Sequence, residues 1–188
     1  MIIKQSVYDG SFIKRRFAYE FFRKSVSPTG NIVAFRAPMV VTQNLIDLED
    51  SLEDDFIYSD DAINFCWEIP NLCPLGAVAF QRLFNTAIAS HLHQFIGLPI
   101  EMRGDDLMVI DTTNTQGGGK ASVSITYSKD NVAIGHTGIN IHAGKRAPDF
   151  AFSTELSDEY CELFMQAVCN SFEDISRDLF VATAKVIV

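Results

Sequence analysis

The chain lacks most of the patterns by which a sequence declares its chemistry. Its four cysteines, Cys66, Cys73, Cys161 and Cys169, include no C-x-x-C pair, so no zinc knuckle is written into it. No apolar run approaches the ~20 residues of a membrane helix. The longest apolar helical stretch is interrupted by Gln81, Arg82, Asn85, His91 and His93. Residues 1–5 form too short an apolar run for a secretory signal. These absences predict a cytoplasmic protein with reduced, buried thiols and no membrane partner. Basic residues are scarce: 15 Lys and Arg face 24 Asp and Glu, for a net charge of -9. That balance argues against nucleic acid, whose phosphates need clustered cations. It leaves room for a small phosphate pocket, which one lysine and backbone N–H groups can build.

A metal site is not predicted either. The acidic run of Asp47, Glu49, Asp50, Glu53, Asp54, Asp55, Asp60 and Asp61 lacks the D-x-D-x-D-G order of a calcium loop. It reads as a solvated face, with a divalent-cation site as the alternative. His91 and His93 lie two apart on a helix and point to different faces.

What is present is a chain of 188 residues, 47% apolar, with fifteen phenylalanines. That suffices for one domain, residues 1–188, with a thick aromatic core. Residues 75–96 repeat apolar positions at three and four and are closed by Gly97 and Pro99, which predicts a long helix. Residues 155–177 predict a second, capped by Thr154 or Ser157. Residues 11–24, basic and aromatic, suggest a third, capped by Ser11. Leu45, Leu48 and Leu52 fit a helical turn or two. Strands are predicted at 31–35 and 39–41, broken by Pro38, and at 62–69. After the long helix come strands at 100–102, 107–111, 121–127 and 132–141, joined by turn clusters at 114–119 and 128–131 into an antiparallel meander. The apolar, β-branched end, 179–188, suggests a closing strand. The fold class is α+β, a mostly antiparallel sheet backed by helices.

Lys120 stands out. It ends the run Gly117-Gly118-Gly119 and opens a strand, with the acidic turn Arg103-Gly104-Asp105-Asp106 upstream. A cation carried by a glycine hairpin to the mouth of a sheet can meet phosphate or carboxylate. A P-loop does not fit: Asn114 and Ala121 stand where that loop needs glycine and Ser or Thr, and the lysine leads into a strand. Downstream, His136, Asn140 and His142 share one face if their strand stays regular.

Three motifs in order, Asp105-Asp106-Leu107, Gly119-Lys120-Ala121-Ser122-Val123 and Gly138-Ile139-Asn140-Ile141, resemble the biotin and lipoate protein ligases. The whole chain resembles the family known as domain of unknown function 366. Its marks are Leu48-Glu49-Asp50, Phe56-Ile57-Tyr58-Ser59-Asp60-Asp61 and His136-Thr137-Gly138-Ile139-Asn140-Ile141. The resemblance implies the ligase fold, which class II aminoacyl-tRNA synthetases share. It implies Lys120 as the catalytic cation, facing an acyl carboxylate and the nucleotide α-phosphate. Asp106 would orient ATP or magnesium, and Asn140 would line the pocket. Arg103, Asp105, Gly118, Gly119 and His136 complete the implied substrate- or nucleotide-binding set. Two departures stand against ATP. Met102 and Asp105 replace the lysine and asparagine of the ligase motif, and no Gly-Arg-Gly-Arg loop precedes the long helix. Three functional classes follow: an adenylate-forming acyl ligase, a non-catalytic small-ligand binder, and a structural protein that forms a homodimer.

Overall fold

The computed structural model describes residues 7–53, 55–113 and 118–185. Four strands, β1 (Asn31–Val41), β2 (Ile57–Pro70), β6 (Ser122–Lys129) and β7 (Val132–His142), form an antiparallel sheet in the order β1-β2-β7-β6. A smaller sheet holds β3 (Ile100–Arg103), β4 (Asp106–Ile110) and β5 (Gly118–Lys120) in sequence order. The fold is thus α+β, with antiparallel sheets backed by helices.

The large sheet is covered on both faces. On one face α3 (Pro74–Ile96) and α4 (Asp158–Thr183) pack Phe80, Phe84, Phe164 and Phe172 onto Phe65, Trp67 and Ile139. The rings meet edge to face, Trp67 with Phe80 at 5.1 Å and Phe84 with Phe172 at 5.4 Å, the geometry aromatic quadrupoles favour. On the other face Tyr8, Phe12, Phe17 and Phe22 cover Phe35, Met39, Cys66 and Ile134. A strand buried on both sides reads as a continuous apolar run rather than an alternation, which is how 62–69 reads. Pro74 opens α3, and Gly97, at φ 70, closes it. Ser157, one of the two predicted caps, accepts a hydrogen bond from the Tyr160 N–H at 3.3 Å.

Several expectations are corrected. The basic segment is helical only over α1 (Phe17–Phe22), and Ser11 bonds to Asp9 instead of capping. Phe12, Phe17 and Phe22 are all buried. A spacing of five turns by ~140° per step on a helix, so no helix could bury all three on one face. Pro38 does not break β1. It sits at a register shift between Ala37 and Met39, and its carbonyl accepts from the Tyr8 N–H at 2.8 Å. Proline is tolerated at an edge-strand bulge because no ladder bond is lost. The predicted meander divides: β3 to β5 make their own sheet, and the chain leaves it at Ala121 to begin β6. Leu179 to Thr183 continue α4 instead of forming a strand, since each residue added to an existing helix closes one more backbone bond. The rest of that proposed strand, 186–188, and the turn residues 114–117 lie outside the described residues. Cys66 and Cys161 are buried as expected, but Cys73 is exposed ahead of α3.

Gly135 lies opposite Trp67 across the β7–β2 ladder, and a Cβ there would enter the indole ring. Gly135→Ala is expected to lower stability by about 1–3 kcal/mol through overpacking, read as a lower urea midpoint at unchanged m-value.

Candidate functional site

One backbone step joins the two sheets. Ala121 is fully buried. Its N–H donates to Leu107 O and its carbonyl accepts from the Asn140 N–H, both at 2.9 Å. The residue before it is held as firmly: the Lys120 N–H donates to Phe150 O and its carbonyl accepts from the Phe152 N–H, both at 2.8 Å. The side chain that leaves this fixed backbone ends 2.8 Å from Asp106 Oδ1.

Lys120 stands at the wall of a cavity of about 390 Å³. Val123 and Ile125 of β6, with His136 and Asn140 of β7, form part of its lining, together with Tyr8 and Ile13 from the N-terminal segment. Asp105 and Asp106 belong to the wall at the Lys120 end. The turn that carries them is fixed by α3. Asn85 Nδ2 donates to Asp105 O at 2.9 Å, Gln81 Nε2 to Asp105 Oδ2 at 3.3 Å, and Arg82 lies 3.4 Å from Asp105 Oδ1. The polar residues that interrupt the apolar helix thus position the acidic turn.

The remaining wall is the acidic segment, with Asp47, Glu49, Asp50 and Asp55 all lining the cavity. Glu49, Glu53, Asp55 and Asp60 are exposed, as the solvated-face reading expects, while Asp47 and Asp50 are half-buried at the cavity. Helix α2 (Leu48–Leu52), capped by the Asp47 side chain, is turned inside out: Leu48 and Leu52 are 71% and 75% exposed. The Asp50 carboxyl is raised above its ordinary range by burial, then by neighbouring Asp47 and Asp55, while Lys120 pulls it down.

Of the residues singled out from sequence, Lys120, Asp105, Asp106, His136 and Asn140 meet at this cavity. Arg103, Gly118 and Gly119 do not line it; they border a separate depression beside Met108 and Asp149. Arg103 pairs with Glu101 at 3.0 Å. The glycines have a packing reason: a Cβ on Gly118 would run into Val109 O, and one on Gly119 would lie 2.5 Å from Phe150 O. His142 also parts from His136. A register shift at Asp61/Ala62 faces Asn140 and His142, so His142 is exposed and meets Glu155 at 3.0 Å. The placement of the α2 segment, a strap beside the cavity, and of Tyr8 escaped the sequence reading, although Asp47 carries a capping signature.

His136 is fully sequestered and stacks on Tyr8 with ring centroids 4.1 Å apart. Its Nε2 lies 2.9 Å from Asn64 Oδ1, while Asn64 Nδ2 donates to Ala37 O and Ala62 O. Asn64 Oδ1 is therefore the acceptor, and His136 Nε2 carries the proton. Burial pulls its pKa down to about 3, so the ring is neutral and Nδ1 holds a lone pair. Among the described residues, the buried Tyr8 hydroxyl and Asn140 Oδ1 at the lining have no hydrogen-bond partner. Among the described residues no group of three or more His, Cys, Asp or Glu could hold a metal, and no helix is long and apolar enough to cross a membrane.

The fold is that of the biotin and lipoate protein ligases. A bi-partite lipoate protein ligase from Thermoplasma acidophilum superposes with a TM-score of 0.56 at 13% identity, over 96% of this chain and 92% of that one. A biotin protein ligase from Aquifex aeolicus in complex with biotin gives 0.53 at 11%, over 92% and 72%. Identities this low establish the fold alone. A protein of unknown function from Pyrococcus horikoshi is nearer, with a TM-score of 0.80 at 26% identity over 100% of this chain and 96% of that one. No curated protein matches the chain. The family model described as domain of unknown function, DUF366, matches residues 1–187, and the chain belongs to that family.

The buried His136 fixes an acid response. Between pH ~6.5, where an unfolded histidine titrates, and about 3, the unfolded chain binds a proton that the folded chain excludes. Stability is complete above pH ~6.5 and falls by about 1.4 kcal/mol per unit as the pH drops. His136→Gln is expected to flatten that slope in urea titrations at pH 7, 6 and 5. His142, raised by Glu155, titrates in both proteins and cancels in the comparison.

Proposed function

We propose that the cavity binds a small carboxylate, with the carboxylate at Lys120 and an apolar body along Val123 and Ile125. The observation that carries this reading is Lys120 itself. It is the one Lys or Arg among the described lining residues, and it faces a wall that mixes apolar strand residues with polar groups. Its backbone is hydrogen-bonded on both sides, so the ammonium starts from a fixed point and little order is lost on binding. Structural neighbours with the same fold include a biotin protein ligase in complex with biotin and a lipoate protein ligase, and their fold analogy supports the ligand class without assigning a reaction.

Acyl-adenylate formation is the catalytic form of this reading. A carboxylate oxygen would attack the α-phosphorus of ATP, pyrophosphate would leave, and Lys120 would offset the charge that builds on the oxygens. The lining fits a carboxylate better than a bare triphosphate, because its described residues include six carboxylates and a single lysine, and the excess negative charge repels polyphosphate most. We therefore place carboxylate binding first and adenylation second.

Thermal shifts with octanoate, lipoate and biotin, each with and without ATP–magnesium, test both. A carboxylate is expected to raise the melting temperature of the wild type. Lys120→Ala is expected to weaken that binding at least ~10-fold, the loss of one charge-assisted hydrogen bond. Equal shifts in both proteins, or none in the wild type, contradict the reading. Pyrophosphate release in the presence of both ligands separates a ligase from a binder.

A further inference from the structure

The cavity holds more negative charge than a plain carboxylate ligand can use. Asp106 is matched by Lys120 and Asp105 by Arg82. Asp47, Glu49, Asp50 and Asp55 line the same cavity and have no ion-pair partner among the described residues. Their orientation is not the default one. A surface helix ordinarily turns its apolar stripe to the protein, yet α2 exposes Leu48 and Leu52 and half-buries Asp50. The strap leaves Leu48 and Leu52 in solvent and half-buries Asp47 and Asp50 at the cavity wall.

An independent observation points the same way. Asn140, 4% exposed, lines the cavity, and its Oδ1 has no hydrogen-bond partner among the described residues; the Tyr8 hydroxyl, 2% exposed, has none there either and can donate or accept. Buried polar atoms of folded proteins are almost always paired, and an amide oxygen can be paired only by a donor. Neutral His136 adds the Nδ1 lone pair. Among the described residues the wall therefore carries six carboxylates against one lysine, together with an unpartnered amide oxygen, which is the complement of an N–H cation. A metal ion would need convergent oxygens, and no such group is formed among the described residues. An ammonium can spread its three donors over acceptors set further apart.

Position refines the ligand. Asp50 lies within the electrostatic reach of Lys120, and the Asn140 N–H is bonded to Ala121, next to Lys120. The backbone of Asn140 thus adjoins that of Lys120 through Ala121, while Ile13, Ile125 and Tyr8 extend the lining. We propose that the ligand is an α-amino acid with a linear apolar side chain. Its carboxylate meets Lys120, its ammonium lies between Asp50 and Asn140, and its side chain runs along Val123 and Ile125. This rests on the carboxylate reading above and adds the amino group to it.

The test compares 2-aminooctanoate, octanoate and octylamine by calorimetric titration and thermal shift, with magnesium chloride alone as a fourth arm. Wild type, Asp50→Asn and Asp55→Asn are used, each checked for native melting so that a misfolded variant is replaced by the other. The expected result is at least tenfold tighter binding of 2-aminooctanoate than of octanoate, with that preference cut to threefold or less in an Asp→Asn variant. Octanoate binding as tightly as 2-aminooctanoate overturns the amino-acid inference and leaves the carboxylate reading intact. Octylamine matching 2-aminooctanoate removes the carboxylate contact and overturns both. Silence with all three organic probes also overturns both. A preference that survives both Asp→Asn variants, or a magnesium shift that makes 2-aminooctanoate and octanoate equal, overturns the role given to the strap.

Discussion

The site depends on two sheets sharing the backbone of Lys120 and Ala121. Ala121 is bonded to Leu107 of β4 on one side and Asn140 of β7 on the other, and Lys120 is bonded twice to the 150–152 segment. Buried backbone polar groups must be paired, and here the pairing leaves the chain no freedom to place Lys120 elsewhere. The glycines before it serve the same junction, since neighbouring backbone would strike a Cβ at Gly118 or Gly119. A side chain as flexible as lysine becomes a defined cation only because its root is immobile and Asp106 receives its tip.

The two-sided burial of the large sheet explains why that junction is rigid. Aromatic layers on both faces leave β2 and β7 almost no solvent contact. Within this apolar setting the buried polar residues act as locators. Gln81 and Asn85 of α3 reach Asp105 and Ser124, tying the long helix to the acidic turn and to β6. Asn64 orients His136, which stacks on Tyr8. Each of these bonds connects the packing core to one wall of the cavity.

Much of this was legible in the sequence. The 3.6-residue period of 75–96 and the stop at Gly97 predict α3, and the apolar run of 62–69 predicts the centre of β2. The resemblance to the ligases, carried by the motifs around Asp106, Lys120 and Asn140, implies that these residues converge. What the sequence hides is orientation. The leucines of 45–52 have ordinary amphipathic spacing, yet Leu48 and Leu52 face outward because the strap's carboxylates lie over the cavity. His136 and His142 have same-face spacing, but one register shift at Asp61/Ala62 separates them. Arg103 sits two residues from Asp105 and still points elsewhere: it ends β3 and pairs with Glu101, while Asp105 lies beyond the turn at Gly104. Tyr8 could not be placed at all, since its contacts with Pro38, Val40 and His136 depend on tertiary approach alone.

The measurement that tests the account most directly is amide chemical-shift mapping of the labelled protein titrated with octanoate. Binding in this cavity predicts perturbations grouped at Asp47, Asp50, Lys120, Val123 and Asn140, on the strap and on β5, β6 and β7. Perturbations confined to Arg103, Gly118 and Gly119, or none at saturating ligand, would contradict it.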